Sequence, residues 1–203
     1  MKFLYKGKYS GDESTLPQRE HPEGFVPYKE PQDMKKLAII ANGIAVIIVI
    51  VLFGLAYLRI DQWLSNLHEY VFDDLLWGYA GLIASILVMI PHEFLHAICF
   101  KDEVWMFQNL KQGLLFVVGI EDMSKSRFIF MSMLPNIVLG MIPFLIYMLF
   151  PNLIFFGTLG IFSISAGAGD YINVFNTIVQ VPKGALVYMS GMHSYWYMPK
   201  GEI

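Results

Sequence analysis

Three stretches of this chain are too long and too free of charge to fold as ordinary soluble helices. "LAIIANGIAVIIVIVLFGLAYL", residues 37–58, contains no Asp, Glu, Lys or Arg. "LLWGYAGLIASILVMIPHEFLHAICF", 75–100, contains one acid, and "FIFMSMLPNIVLGMIPFLIYMLF", 128–150, contains none. A helix rises 1.5 Å per residue, so about 20 apolar residues cross the ~30 Å hydrocarbon layer. Each stretch meets that length. A fourth, 153–180, follows the turn signal Pro151-Asn152. The composition agrees, with 56% hydrophobic and only 15% charged residues.

These runs predict an all-α membrane protein with four transmembrane helices at 37–58, 75–100, 128–150 and 153–180. Residues 1–36 hold Pro17, Pro22, Pro27 and Pro31 and read as a polar, Pro-rich N-terminal arm. Residues 37–180 form the transmembrane domain, and 181–203 a short C-terminal tail. The polar-aromatic segment 59–74, with Trp63, Tyr70 and Phe72, suits a membrane–water boundary. A short β-hairpin is expected in the loop 101–127 between the second and third helices. The opening residues lack the apolar core of a signal peptide, so the first helix is expected to act as an uncleaved anchor.

Lysine and arginine counts give the orientation. The arm has seven and the 101–127 loop four, whereas 59–74 has only Arg59. The positive-inside rule then predicts a multi-pass cell-membrane protein with both termini cytoplasmic. The lipid bilayer is its first partner. A net charge of −3 argues against nucleic acid. A single cysteine, Cys99, excludes an internal disulfide framework.

Against that apolar background, "PHEFLHAICF" stands out. Ionisable residues inside a membrane helix are costly and mark function. His92 and His96 are one helical turn apart on one face and can ligate one metal ion. Glu93, about 100° round the helix, sits near the water such an ion would activate. This is the metallopeptidase pattern of two ligands and a general base. An interhelical polar cluster without metal would use the same residues.

A catalytic zinc site needs a third protein ligand. Within the four spans the acids are Glu93 and Asp170. His92 lies 17 residues after Leu75, and Asp170 lies 17 after Leu153. Both helices run in the same direction, so both sites lie about 25 Å into their spans. The small residues of "SISAGAGDYIN" allow close helix approach. Asp170 is therefore the expected third ligand, with Cys99 the competing donor. Pro91 should loosen the helix around Leu87. Pro135 removes one helical hydrogen bond and leaves a carbonyl free. Asn136 lies about 12 Å in from the cytoplasmic end, at the histidine layer. Asn136 and Asn173 are candidates to contact substrate or to support the ligands. His21, His68 and His193 read as ordinary surface histidines, and the methionines as packing.

"HEFLHAICF" with "AGAGDYIN" resembles a bacterial family of short four-helix membrane proteins classed as zincin peptidases, distantly similar to the site-2 proteases. The resemblance covers about residues 75–180. It implies one Zn²⁺ per chain, His92, His96 and Asp170 as ligands, Glu93 as catalytic base, and a membrane-embedded or membrane-proximal protein substrate. One departure is clear. Site-2 proteases present their aspartate in an Asn-Pro-x-x-x-x-Asp-Gly context, whereas Asp170 here lies between Gly169 and Tyr171. Two other functions fit the same residues: a non-catalytic metal-binding interaction partner, and a small transporter with an intramembrane polar path.

Overall fold

The computed structural model describes residues 1–31, 33–59, 71–109 and 114–200. The chain divides into two compact units, each built from several chain segments. One comprises Met1–Leu37, Glu93–Leu134 and Tyr171–Ile203. The other comprises Ala38–His92 and Pro135–Asp170.

The second unit is helical. Its elements are α1 (Met34–Tyr57, from Ala38 onward), α2 (Val71–Leu87), the start of α3 (Met89–Ala97), a π-helical segment (Asn136–Met141), α5 (Ile142–Leu149) and α6 (Ile154–Ala166). Its helices approach closely where glycine removes a side chain. A Cβ on Gly81 of α2 would stand 2.5 Å from the Phe155 carbonyl oxygen of α6. One on Gly160 of α6 would stand 2.6 Å from the Phe144 nitrogen of α5. Such contacts are how membrane helices gain packing area without a hydrophobic driving force between them.

Among the described residues, three helices are long and apolar enough to cross a membrane: Lys35–Tyr57, Phe72–Ala97 and Lys125–Leu149. No residue is buried in the most apolar window of the first. The third joins α4 (Lys125–Pro135) to the π-helical segment and α5. The expected fourth span, 153–180, is not one helix. It stops at Gly167 (φ −76°, ψ 13°), where the lack of a side chain weakens the helix. It resumes as α7 (Ala168–Gln180). Its apolar part is only 13 residues, and α7 carries Asp170, Asn173, Asn176, Thr177 and Gln180.

The first unit overturns the all-α expectation. Seven strands are present among the described residues, in two sheets. β1 (Lys2–Lys8) pairs parallel with β3 (Glu103–Asn109), and β3 pairs antiparallel with β4 (Leu114–Val118). The residues joining β3 to β4, 110–113, lie outside the described residues. The second sheet runs β2 (Val26–Pro27), β7 (His193–Tyr197), β6 (Leu186–Ser190), β5 (Met123–Ser124). Most of these pairings join distant segments, so no local pattern announces them: Lys2 faces Glu103, and Val26 faces Trp196. Pro27 is tolerated because β2 is an edge strand, where a missing N–H breaks no ladder. β6 and β7 do form a local hairpin, turning at Gly191-Met192 with Gly191 at φ 63°.

The core of this unit gathers Tyr28, Ala97, Phe100, Val104, Met123, Phe128 and Val187 from arm, helices and both sheets. Tyr28 bonds Thr177 Oγ1 at 2.9 Å, and its burial pushes the phenol well above the ordinary tyrosine value. His193 is not an ordinary surface histidine. Its side chain is only 13% exposed, with Nδ1 3.3 Å from Glu30 and Nε2 3.6 Å from Glu13. Burial pushes the Glu30 carboxyl up, against bonds from the Ser194 N–H and His193. His21 is exposed, yet bonds Tyr188 and stacks on Phe25. Trp63, His68 and Tyr70 lie outside the described residues.

Candidate metal centre

The histidine helix owes its limits to Pro91. Without an N–H, Pro91 leaves the Leu87 carbonyl four residues back without its helical partner. α2 ends at that residue and α3 starts afresh at Met89, with the His92 N–H on the Val88 carbonyl at 2.8 Å. Within α3, the i and i+4 positions bring His92 and His96 to one face. The ligand-capable atoms of His92, Glu93 and His96 all lie within 4.8 Å of one another. All three residues are buried, at 8%, 6% and 6% exposure. Asp170, the expected third ligand, and Cys99, the competing donor, both lie outside this group; the Cys99 thiol leans on the Leu95 carbonyl at 3.5 Å.

Each histidine is held by a different device. His96 Nδ1 is 2.8 Å from the Met131 carbonyl oxygen. A carbonyl only accepts, so Nδ1 carries the proton and Nε2 keeps its lone pair. Met131 precedes Pro135 by four residues, so its carbonyl is the one that the proline leaves without a helical N–H. The helical defect in α4 thus supplies the acceptor that orients His96. The π-helical turn beginning at Asn136 follows directly.

His92 Nε2 lies 3.2 Å from Asp170 Oδ2. The same carboxylate oxygen accepts from Asn136 Nδ2 at 2.7 Å. Asn136 is 1% exposed, and its amide is committed to Asp170 rather than left open to a substrate. Gly167 makes room for it: a Cβ there would stand 1.7 Å from Asn136 Oδ1. The helix break at Gly167 and the seating of Asn136 are one feature. Asn173, on α7 and half-buried, takes part through its backbone carbonyl, which accepts from Thr177 Oγ1 at 2.6 Å.

The spacing of His92 and Asp170 is compatible with shared ligation of zinc. Two ligands on a tetrahedral ion, bonded at about 2.0–2.1 Å, stand roughly 3.3 Å apart. His92 Nε2 and Asp170 Oδ2 are at that spacing. An imidazole hydrogen-bonded through its other nitrogen to a backbone carbonyl is the usual outer support of a ligand, and His96 has it. The family described as "Putative zincin peptidase" matches residues 85–186, half of the chain.

The chain belongs to this family. The zincin match spans the histidine helix, the proline-interrupted helix, Asp170 and the start of β6. No curated protein and no solved structure matches the chain. Two contributors escape a search for ligand-type side chains: the Met131 carbonyl and Gly167. Pro135 held the signal for the first, since the acceptor it frees is always four residues before it.

Proposed function

We propose that this zincin-family protein is a zinc-dependent peptidase that hydrolyses peptide bonds within or beside the membrane. The observation that carries the reading is the 3.2 Å approach of Asp170 to His92, the first histidine of a buried His-Glu-x-x-His turn. His92, His96 and Asp170 would hold one Zn²⁺, and Asn136 would steady Asp170. When bound, the ion supplies Lewis-acid polarisation and lowers the pKa of a water toward about 7.

The remaining work falls to the chain. Glu93, buried beside the first ligand, takes the proton of the attacking water and returns it to the leaving amine. Met131 holds His96 in the tautomer that presents Nε2. A substrate helix must unwind before its backbone is accessible, because its carbonyls are already hydrogen-bonded. Substrates are then membrane-embedded or membrane-proximal proteins. The lysine and arginine distribution supports cytoplasmic termini and a cell-membrane location. The resemblance of "HEFLHAICF" and "AGAGDYIN" to site-2 proteases agrees with this reading.

Glu93→Gln separates catalysis from metal binding. Membranes expressing wild type or Glu93→Gln are compared by mass spectrometry of new protein termini. Loss of a general acid–base should slow cleavage by about 10²–10⁴-fold while zinc is retained. Identical terminus profiles from the two membranes would reject the peptidase reading and favour a metal-binding partner or transporter.

A further inference from the structure

Arg127, Met131 and Pro135 recur every four residues along α4 and so share one face. Met131 uses that face to hold His96. One turn earlier, Arg127 donates through both Nε, at 3.1 Å, and Nη2, at 2.5 Å, to the Cys99 carbonyl. Cys99 is three residues after His96, about one turn along the same chain. The two contacts are therefore two rungs between the same segments, spaced one turn apart on each side.

A buried carboxylate completes the upper rung. Glu121 Oε1 accepts from Arg127 Nη2. Its Oε2 accepts the backbone N–H groups of Lys101 at 2.8 Å and Asp102 at 2.7 Å. The Glu121 side chain is 7% exposed and that of Arg127 24%. The last carbonyls of any helix lack helical partners, and a cation there suits the helix dipole. Arg127 alone would serve as such a cap. Glu121 does more, because it also fastens the two residues that lead from α3 into β3.

We propose that Arg127 and Glu121 are positioning residues for His96. They fix the end of α3 against α4 so that the Met131 carbonyl stays in reach of His96 Nδ1. This rests on the reading of His96 as a metal ligand. Slackening the upper rung lets the imidazole turn, and affinity falls although no ligand is changed. Outer-shell changes of this kind typically cost about 10–100-fold in metal affinity.

The test uses the full-length protein in detergent micelles with Co²⁺ as probe. Affinity is read by chelator competition, geometry by the visible absorption of bound cobalt, and folding by circular dichroism. The variants are Arg127→Met, Arg127→Lys and Glu121→Gln. His193→Gln is the control, since His193 pairs with Glu30 and Glu13 in the same unit and neither partner lies in α3, α4 or residues 120–122. Arg127→Met should weaken cobalt binding about 10–100-fold and alter its spectrum. Arg127→Lys should restore part of both, Glu121→Gln should move both in the same direction as Arg127→Met, and His193→Gln should match wild type. If Arg127→Met fails to fold, Glu121→Gln and Arg127→Lys decide. Wild-type affinity and spectrum in the folded variants would overturn the proposal. So would a His193→Gln loss as large as that of Arg127→Met. A wild type that binds no cobalt would instead reject the metal-site reading itself.

Discussion

The sheets of one unit and the long helices of the other treat apolar side chains differently. In the sheet-bearing unit Val104, Val118 and Val187 are completely buried. In the helical unit Ile47, Ile50, Leu76 and Ile86 are each more than half exposed, at 62%, 65%, 56% and 66%. In water such a surface would be an aggregation hazard; in lipid it is the ordinary outside of a helix. The same sequence chemistry is thus solved for two solvents. The histidine helix is polar among apolar helices, and each of its histidines has its own support.

Met123 is 2% exposed in the sheet-bearing core. Met123→Ala should cost about 2–5 kcal/mol by loss of transfer energy and creation of a cavity. A denaturant titration in mild detergent measures it, and a cost below about 1 kcal/mol would mean this unit is not tightly packed. On a water-exposed surface Ile47→Lys would change stability by about 0.5 kcal/mol or less. In a bilayer it should oppose insertion by about 2.5–3.5 kcal/mol. Glycosylation mapping of the flanking segments distinguishes the two, and unchanged insertion would remove α1 from the membrane.

A finer prediction concerns the support of Asp170. Asn136→Ala removes the amide that Asp170 accepts from, and Gly167→Ala forces that amide aside. Both should weaken zinc binding by about 10–100-fold in chelator competition. Wild-type affinity in both would mean that the 3.2 Å His92–Asp170 contact is an ordinary hydrogen bond and not half of a ligand set. The smallest effect is in the sheet-bearing unit. Burial raises the Tyr28 pKa, so above about pH 10 the unfolded chain loses this proton while the folded chain keeps it. Stability should therefore fall as pH rises past that point, by at most about 1.4 kcal/mol per pH unit from this group. Tyr28→Phe should remove that part of the slope in alkaline melts. An unchanged slope would place the titration elsewhere.

What could be read from sequence follows from how local each feature is. Charge-free runs declare long helices because the lipid criterion is simple length, and 37–58, 75–100 and 128–150 contain most of the three long apolar helices. The fourth run failed by the same criterion. It counted apolar residues through Gly167, where a small side chain signals both close packing and a break. The strands outside 101–127 were hidden for another reason. Lys2–Lys8 pairs with a segment about a hundred residues away, and its own alternation is weak. The His92–Glu93–His96 spacing was legible because helical periodicity alone brings those atoms together. The Met131 carbonyl was not, because every residue has one, and only Pro135 marks which is free.

The proposed metal centre of His92, His96 and Asp170 is tested most directly by zinc content. Wild type, His96→Ala and Asp170→Asn are purified in detergent without chelators, reconstituted with Zn²⁺ and measured by elemental mass spectrometry. A shared three-ligand site predicts about one zinc per wild-type chain and loss in both variants. Wild type without zinc, or Asp170→Asn retaining it as wild type does, would contradict the account.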